Sequence, residues 1–220
     1  MTAKLWRSYT RPVPSPFNSI HKGGSPYSYK SYEIRRLQAR LLALRLTSLG
    51  AALVHRGELS DTGAMLKVGI LSDTHGLLRP QVNDALAGVD HIIHAGDIGR
   101  PEIIEALRRI APVTAIRGNI DTAIWAQIYP DSQMVNLGGR CFYVLHDLKT
   151  LRDDPRSSGI DVIVSGHSHR PRIETIDGVL YLNPGSCGPR RFSLPVTVAT
   201  LALDENRIEP RLRYLDATAR

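Results

Sequence analysis

Four short pieces of the sequence combine acids, amides and histidines in patterns that suit metal binding. They read DTH at 73–75, GD at 96–97, GN at 118–119 and GHSH at 166–169, with a lone histidine before the last piece. Two carboxylates, one amide oxygen and four imidazoles result, from Asp73, His75, Asp97, Asn119, His146, His167 and His169. This mixture of hard oxygen and borderline nitrogen ligands favours Mn, Fe, Zn, Co or Ni over Ca or Mg.

These residues follow segments that read as buried strands. Apolar runs predict strands at 67–72, 89–97 and 112–119, and helical patterns at 81–88 and 100–110 separate them. The β-α-β-α-β order predicts a parallel sheet with right-handed crossovers. Because loops at the carboxyl ends of such strands converge on one crevice, we expect the candidate ligands to meet there.

Three glycines precede candidate ligands directly: Gly96, Gly118 and Gly166. A strand that turns sharply and brings its backbone close to an ion favours a residue without a Cβ atom. We therefore expect these positions to be too crowded for a side chain.

The second half of the sequence reads mainly as hairpins. We predict hairpins at 132–146, 172–183 and 196–215, and a strand at 161–169 that ends in the His-rich loop. These segments are expected to add antiparallel strands beside the first sheet. A mixed α/β fold, a two-sheet β-sandwich flanked by helices, accommodates all of them.

The order of the pieces resembles that of the calcineurin-like metallophosphoesterase superfamily. From Lys67 to about Arg191 the chain shows its D-x-H, G-D, G-N, lone His and G-H-x-H blocks in order. The segments RGNID and NPGS look closest to the small single-domain phosphodiesterases of bacteria and archaea. The resemblance implies a four-layer αββα fold and a phosphoesterase with two divalent ions, Mn preferred. A hydroxide shared by the ions would attack the phosphorus of a small phosphomonoester or phosphodiester.

The resemblance also assigns each candidate ligand to an ion. The first ion would be held by Asp73, His75, Asp97 and His169. The second would be held by Asp97, Asn119, His146 and His167, so that Asp97 bridges the pair.

Three neighbouring residues qualify this assignment. Asp121 would orient a ligand residue without binding the ion itself, with a loop-capping role as the alternative. Many relatives carry a proton-donating His directly after the Asn, where this chain has Ile120, so substrates with good leaving groups are expected. Asp147 follows the lone His where relatives often have Gly, which affects the geometry of that ligand.

Several other residues are interpreted without a role in the chemistry. His94 is expected to be a core histidine near the site. Arg117 is expected in an ion pair, with a substrate phosphate as the alternative partner. Cys141 and Cys187 are interpreted as structural thiols, which is typical of a reducing compartment such as the cytoplasm.

The net charge of +7 is unevenly distributed. Residues 1–64 hold 10 Lys/Arg and 3 Asp/Glu, whereas residues 65–220 hold 18 of each. The neutral second part does not favour nucleic acid as a partner. No segment reaches the ~18 consecutive apolar residues of a membrane-spanning helix. The sequence leaves open whether the protein forms a homo-oligomer.

The first 64 residues are interpreted as a basic, partly disordered extension, and residues 65–220 as the phosphoesterase domain. Residues 8–32 have a disordered composition, and residues 33–56 have the pattern of a basic amphipathic helix. The extension could be an arm that packs on the domain, a targeting peptide, or a segment absent from the natural protein. Met65 directly before the first strand motivates the last alternative.

Two functions from different classes are therefore compared. The first is a metal-dependent phosphoesterase. The second is a scaffold for protein–protein interaction that kept the fold and lost the chemistry. The complete set of seven ligands favours the enzyme, because a scaffold has no need of four imidazoles.

Overall fold

The computed structural model describes residues 65–152, 154–204 and 206–216. The predictions for residues 1–64, including the basic amphipathic helix, lie outside the described residues. Two five-stranded sheets form the framework of the described chain.

The first sheet contains the predicted parallel strands. Its elements are β1 Leu66–Leu71, α1 Pro80–Ala85, β2 His91–Ala95, α2 Pro101–Arg108, β3 Val113–Ile116, β9 Thr197–Leu203 and β10 Ile208–Tyr214. The strand order is β10-β9-β1-β2-β3, and the two α-helices connect the parallel strands. Strand β1 pairs in parallel with β2, and β2 pairs in parallel with β3, as the alternating pattern predicted. The β9–β10 hairpin joins the other edge of β1 in antiparallel orientation.

The second sheet has the order β4-β5-β6-β8-β7. Its strands are β4 Ser132–Leu137, β5 Arg140–Leu145, β6 Val162–Val164, β7 Arg172–Ile176 and β8 Val179–Asn183. The hairpins β4–β5 and β7–β8 were predicted. The second half also contains parallel pairings that the sequence analysis did not predict, because β5, β6 and β8 run parallel to one another. The connections between these three strands are long enough to bring the chain back for a parallel pairing.

The two sheets pack face to face over an apolar core. Val68 and Ile70 of β1 share this core with Phe142 and Val144 of β5. Such strands are apolar almost throughout because both of their faces are covered. This arrangement confirms the predicted two-sheet sandwich.

The outer faces of the sheets are covered differently. Helices α1 and α2 cover the first sheet, where Ile104 and Leu107 pack in one cluster with Leu71 and Ile92. On the second sheet, Leu145 and Ile163 pack against residues from the 3₁₀ helix Leu148–Thr150 and the segment that follows it. Among the described residues, no helix is long and apolar enough to cross a membrane.

Candidate metal centre

The candidate ligands lie just beyond the carboxyl ends of β1, β2, β3, β5 and β6. Parallel neighbours end at the same edge of their sheet, so the sequence-predicted convergence follows from the topology. The structure brings all seven side chains into one continuous group: Asp73, His75, Asp97, Asn119, His146, His167 and His169.

One cluster forms around Asp73. The Nε2 atom of His169 lies 3.2 Å from Asp73 Oδ1, and the Nε2 atom of His75 lies 3.8 Å from the same oxygen. The two Nε2 atoms are 3.3 Å apart. One ligand atom from each of the three residues therefore lies within reach of a single ion, with all pairs within 4.8 Å.

Asp97 connects this cluster to His146. Its Oδ2 atom lies 3.7 Å from His75 Nε2, while its Oδ1 atom lies 3.3 Å from His146 Nε2. The two oxygens of one carboxylate thus face imidazoles that belong to different parts of the site. A carboxylate in this position is suited to bridging two cations.

Asn119 and His167 form the outer part of the site. The Asn119 Oδ1 atom lies 3.0 Å from His167 Nδ1, and the His167 ring centroid lies 5.3 Å from that of His146. Both residues are exposed, unlike Asp73, Asp97, His146 and His169. This side of the site is therefore open to solvent.

Three buried polar atoms of the candidate ligands make no hydrogen bond among the described residues. They are Asp73 Oδ1, His146 Nε2 and His169 Nδ1. Leaving a buried acceptor without a partner costs free energy, so such atoms are rare unless an ion or water satisfies them. A carboxylate oxygen and an imidazole nitrogen are both donors that transition-metal ions accept. The residues present therefore fit divalent ions.

Backbone strain is concentrated in the same residues. Seven non-glycine residues in the described part of the chain have a positive φ. Five of them are candidate ligands: Asp73 (56°), His75 (46°), Asp97 (54°), His167 (64°) and His169 (56°). The left-handed conformation is unfavourable for residues with a Cβ atom, and it persists where the surroundings enforce it, typically at functional sites.

The predicted crowding at the glycines is confirmed. A Cβ atom at Gly118 would overlap Asp97 Oδ1, and one at Gly166 would overlap Ser72 Oγ and lie 2.8 Å from Asp73 Oδ2. Both positions thus need glycine because backbone and carboxylate approach each other closely.

Asp121 holds the loops that carry two of the ligands. Its carboxylate accepts hydrogen bonds from the backbone amides of Ile98, Gly99 and Gly118, at 2.9, 2.8 and 2.8 Å. These amides flank Asp97 and Asn119 in sequence. Asp121 therefore caps these loops and fixes the positions of the ligands that they carry. Its described hydrogen bonds all come from backbone amides, and none comes from a ligand side chain.

Sequence reasoning missed two residues of the NPGS segment that support the centre. Ser186 Oγ donates to the Asp73 carbonyl at 2.9 Å, and Asn183 Nδ2 donates to the Gly166 carbonyl at 2.7 Å. The motif was recognised in the sequence, but its task depends on loops that are distant along the chain. It holds the loop after β1 and the loop after β6 in place.

The histidine tautomer at the centre is set by a backbone contact. His146 Nδ1 donates to the Ala95 carbonyl at 2.7 Å, which leaves Nε2 without a proton and directed at Asp97 when the ring is neutral. Orientation of this kind is a regular feature of metal-binding imidazoles.

Burial and neighbouring charges shift three pKa values in the centre. Burial lowers the pKa of His75, against the attraction of Asp97 and Asp73. Burial alone would raise the pKa of Asp97, but the contact with His146 outweighs it, so that this pKa is lowered. The pKa of His146 is raised because the contacts with Asp97 and the Ala95 carbonyl outweigh burial. Protons and metal ions therefore compete for the same atoms.

Arg117, His94 and the two cysteines were interpreted without a role in the chemistry. Arg117 forms a two-pronged ion pair with Asp131, at 2.5 and 3.0 Å. His94 is buried and lies 3.0 Å from Thr74 Oγ1 through Nε2, while its Nδ1 has no partner among the described residues. The side chains of Cys141 and Cys187 are both buried.

Two unusual residues lie beside the open part of the site. Ile120, next to Asn119, keeps 41% of its surface exposed. Asp147 Oδ2 lies 3.9 Å from His167 Nε2, and Asp147 Oδ1 accepts a hydrogen bond from the Lys149 amide. The residue that replaces the usual glycine therefore places a carboxylate near an exposed candidate ligand.

The sequence of the chain is similar to those of known phosphoesterases. Residues 66–206 match the calcineurin-like phosphoesterase superfamily domain. A probable metallophosphoesterase of Methanothermobacter thermautotrophicus is 31% identical over 157 residues, which cover 66% of this chain and 90% of that protein. A phosphodiesterase of Methanocaldococcus jannaschii is 30% identical over 141 residues, covering 56% of this chain and 84% of that protein.

Solved structures show the same fold. An archaeal phosphodiesterase superposes with a TM-score of 0.57 at 27% identity, covering 68% of this chain and 99% of that one. Vacuolar protein sorting 29 of Cryptosporidium parvum also gives 0.57, at 20% identity, covering 68% of this chain and 97% of that one. The second match shows a shared fold alone.

Proposed function

The chain belongs to the calcineurin-like phosphoesterase superfamily, and on this premise we propose that it hydrolyses small phosphoesters, phosphodiesters above all, with two divalent transition-metal ions. The observation that carries the proposal is the position of Asp97, whose two oxygens face His75 and His146 at 3.7 and 3.3 Å. A buried carboxylate between two imidazole groups is suited to a pair of ions rather than to one.

The proposed ligand sets follow the two sides of Asp97. One ion would be held by Asp73, His75, Asp97 and His169, and the other by Asp97, Asn119, His146 and His167. When bound, a pair of such ions lowers the pKa of water and neutralises charge on the phosphoryl group. We propose Mn as the preferred ion, with Fe, Zn, Co and Ni as alternatives for the same donors.

The protein's own contribution is to hold these donors in one geometry before substrate arrives. The His167 amide donates to Asp73 Oδ2 at 3.1 Å and the Ile120 amide donates to Asp97 Oδ1 at 3.1 Å. These contacts orient both carboxylates. Asp121 and the Ala95 carbonyl fix the loop and the ring behind them.

The open side of the site would receive the leaving group. Ile120 lies there and has no proton to donate, so the leaving group departs unprotonated or takes its proton from water. We therefore propose that the enzyme favours esters of acidic alcohols such as phenols. Residues 65–220 are proposed to carry this activity, in the cytoplasm, with a small phosphoester as the partner.

The test is turnover after removal and readdition of metals. The protein is stripped with a chelator and reloaded with Mn, Fe, Zn, Co or Ni singly, then supplied with bis(p-nitrophenyl) phosphate and p-nitrophenyl phosphate. We expect no turnover without metal, restoration by at least one ion, and faster turnover of the diester. A protein that binds two ions but turns over neither ester with any of them would contradict the proposal and favour a scaffold.

A further inference from the structure

Arg191 lies beside the candidate metal centre although it follows the last candidate ligand by 22 positions in the sequence. Its Nη2 atom is 3.5 Å from the Nε2 atom of His75. The segment before it is fixed, because the Cys187 amide donates to the Ser72 carbonyl at 3.3 Å. The exposed guanidinium is thus held at the His75 edge of the site by an anchored loop.

Within the described part of the chain, Arg191 has no carboxylate within ion-pairing distance. The neighbouring Arg190 differs, because its Nη1 lies 3.6 Å from Asp216 Oδ2. Arg117 is likewise paired, with Asp131. A guanidinium is always charged and offers five donors, of which a contact with one imidazole nitrogen uses at most one. Arg191 therefore keeps most of its hydrogen-bonding capacity for another group.

The charge balance indicates what that group is. His75 Nε2 also faces Asp73 and Asp97, so the guanidinium lies next to the cluster proposed to hold a cation. A guanidinium beside a cation is stabilised when an anion lies between them, because each positive charge then has a negative neighbour. A phosphoryl group has non-bridging oxygens that match the planar fork of arginine.

We propose that Arg191 binds a non-bridging oxygen of the substrate's phosphoryl group, on the His75 side of the centre. The inference rests on the proposed phosphoesterase function and identifies a substrate-binding residue for it. The same oxygen is present in the substrate and in the phosphate product. Loss of Arg191 therefore raises KM and weakens phosphate binding more than it lowers kcat.

The experiment compares Arg191→Gln and Arg191→Lys with Arg190→Gln as the matched control. Each protein is loaded with zinc, its zinc content is measured by elemental analysis, and inorganic phosphate is titrated by calorimetry. KM and kcat for bis(p-nitrophenyl) phosphate are measured on the same samples. We expect phosphate to bind about 10- to 100-fold more weakly to Arg191→Gln, because a charge-assisted hydrogen bond is lost. Arg191→Lys should be intermediate, Arg190→Gln should equal wild type, and zinc content should be unchanged throughout.

Three results would overturn the inference in distinguishable ways. Equal phosphate affinity and equal KM in Arg191→Gln and wild type would remove the role of Arg191 and leave the phosphoesterase intact. A loss of zinc that parallels the loss of phosphate binding would show that Arg191 positions His75 and does not contact substrate. A zinc-loaded wild type that binds no phosphate would overturn the inference, and the proposed function falls with it only when none of the five ions restores turnover.

Discussion

The candidate centre has a buried half and an open half. In the buried half, the side chains of Asp73, Asp97 and His169 are 0%, 4% and 8% exposed. In the open half, the side chain of His167 is 45% exposed, and Asn119 and Ile120 lie at the surface beside it. The two halves share Asp97 and differ in access to water, so they are suited to different tasks.

Burial favours firm binding of a cation, because the attraction between opposite charges is screened less than in water. Exposure favours exchange, because water and substrate can replace or join the protein's donors. We therefore expect the ion on the buried side to be bound more tightly and the ion on the open side to exchange faster.

The largest effect is expected from Asp97→Asn, which alters both halves at once. The variant loses the charge between the two clusters, so both ions bind more weakly and turnover falls by nearly the whole metal-dependent rate. Metal content and turnover are measured on the same sample. Asp131→Asn, the same change at a surface ion pair, should leave both quantities unchanged. Normal turnover in Asp97→Asn would show that no bridging carboxylate is needed.

The second-largest effect is expected from variants that remove a ligand from only one half of the centre. Asn119→Ala removes a ligand from the open side, so the protein should hold about one ion instead of two after dialysis against a weak chelator. His169→Ala removes a ligand from the buried side and should release the more tightly bound ion. Elemental analysis follows both variants over time. If the two proteins lose metal at the same rate and to the same extent, the halves are not distinct.

A third prediction concerns how the open half limits the choice of leaving group. Ile120→His places a proton donor where the leaving group is expected to depart. Turnover of esters with poor leaving groups should rise, by at most ~10²–10⁴-fold, while nitrophenyl esters change little. A series of aryl and alkyl diesters gives the dependence of log kcat/KM on leaving-group pKa. Equal slopes in wild type and Ile120→His would show that this position does not control selectivity.

The smallest effect concerns His94, which lies behind the buried half. Burial lowers its pKa from 6.5 to about 4, so the folded protein binds fewer protons than the unfolded chain between these values. The stabilisation from the neutral ring is fully present above pH 6.5 and is lost as the pH falls toward 4. It amounts to about 3 kcal/mol at most. Urea unfolding of metal-free protein at several pH values should show a shallower dependence for His94→Gln than for wild type. An unchanged dependence would assign the acid sensitivity to other groups.

Much of the fold followed from local sequence patterns. Strands β1 to β3 were predicted because their apolar runs alternate with helical segments, and the hairpins were predicted from their turn residues. The parallel pairing of β5, β6 and β8 was not, because β6 spans only Val162–Val164 and a short apolar run carries no information about its neighbours. The predicted fold class was confirmed. The strand directions of the second sheet could not be predicted, because they depend on tertiary packing.

The candidate site was likewise predicted only in part from the sequence. The convergence of Asp73 and Asp97 followed from the rule that parallel strands end at one edge, whereas His146 joins them from β5 of the second sheet. Arg191 was missed because a single arginine after a turn has no characteristic spacing. The left-handed backbone of His75 was also invisible, since it is imposed by contacts that form only in the folded chain.

The central claim is that Asp97 joins two ions, one in each half. Anomalous diffraction from a crystal grown with zinc, recorded at the zinc absorption edge, tests it most directly. Two peaks are expected, one among Asp73, His75 and His169 and one among Asn119, His146 and His167, with the Asp97 carboxylate between them. No peak at the centre, or a single peak that Asp97 does not contact, would contradict the claim.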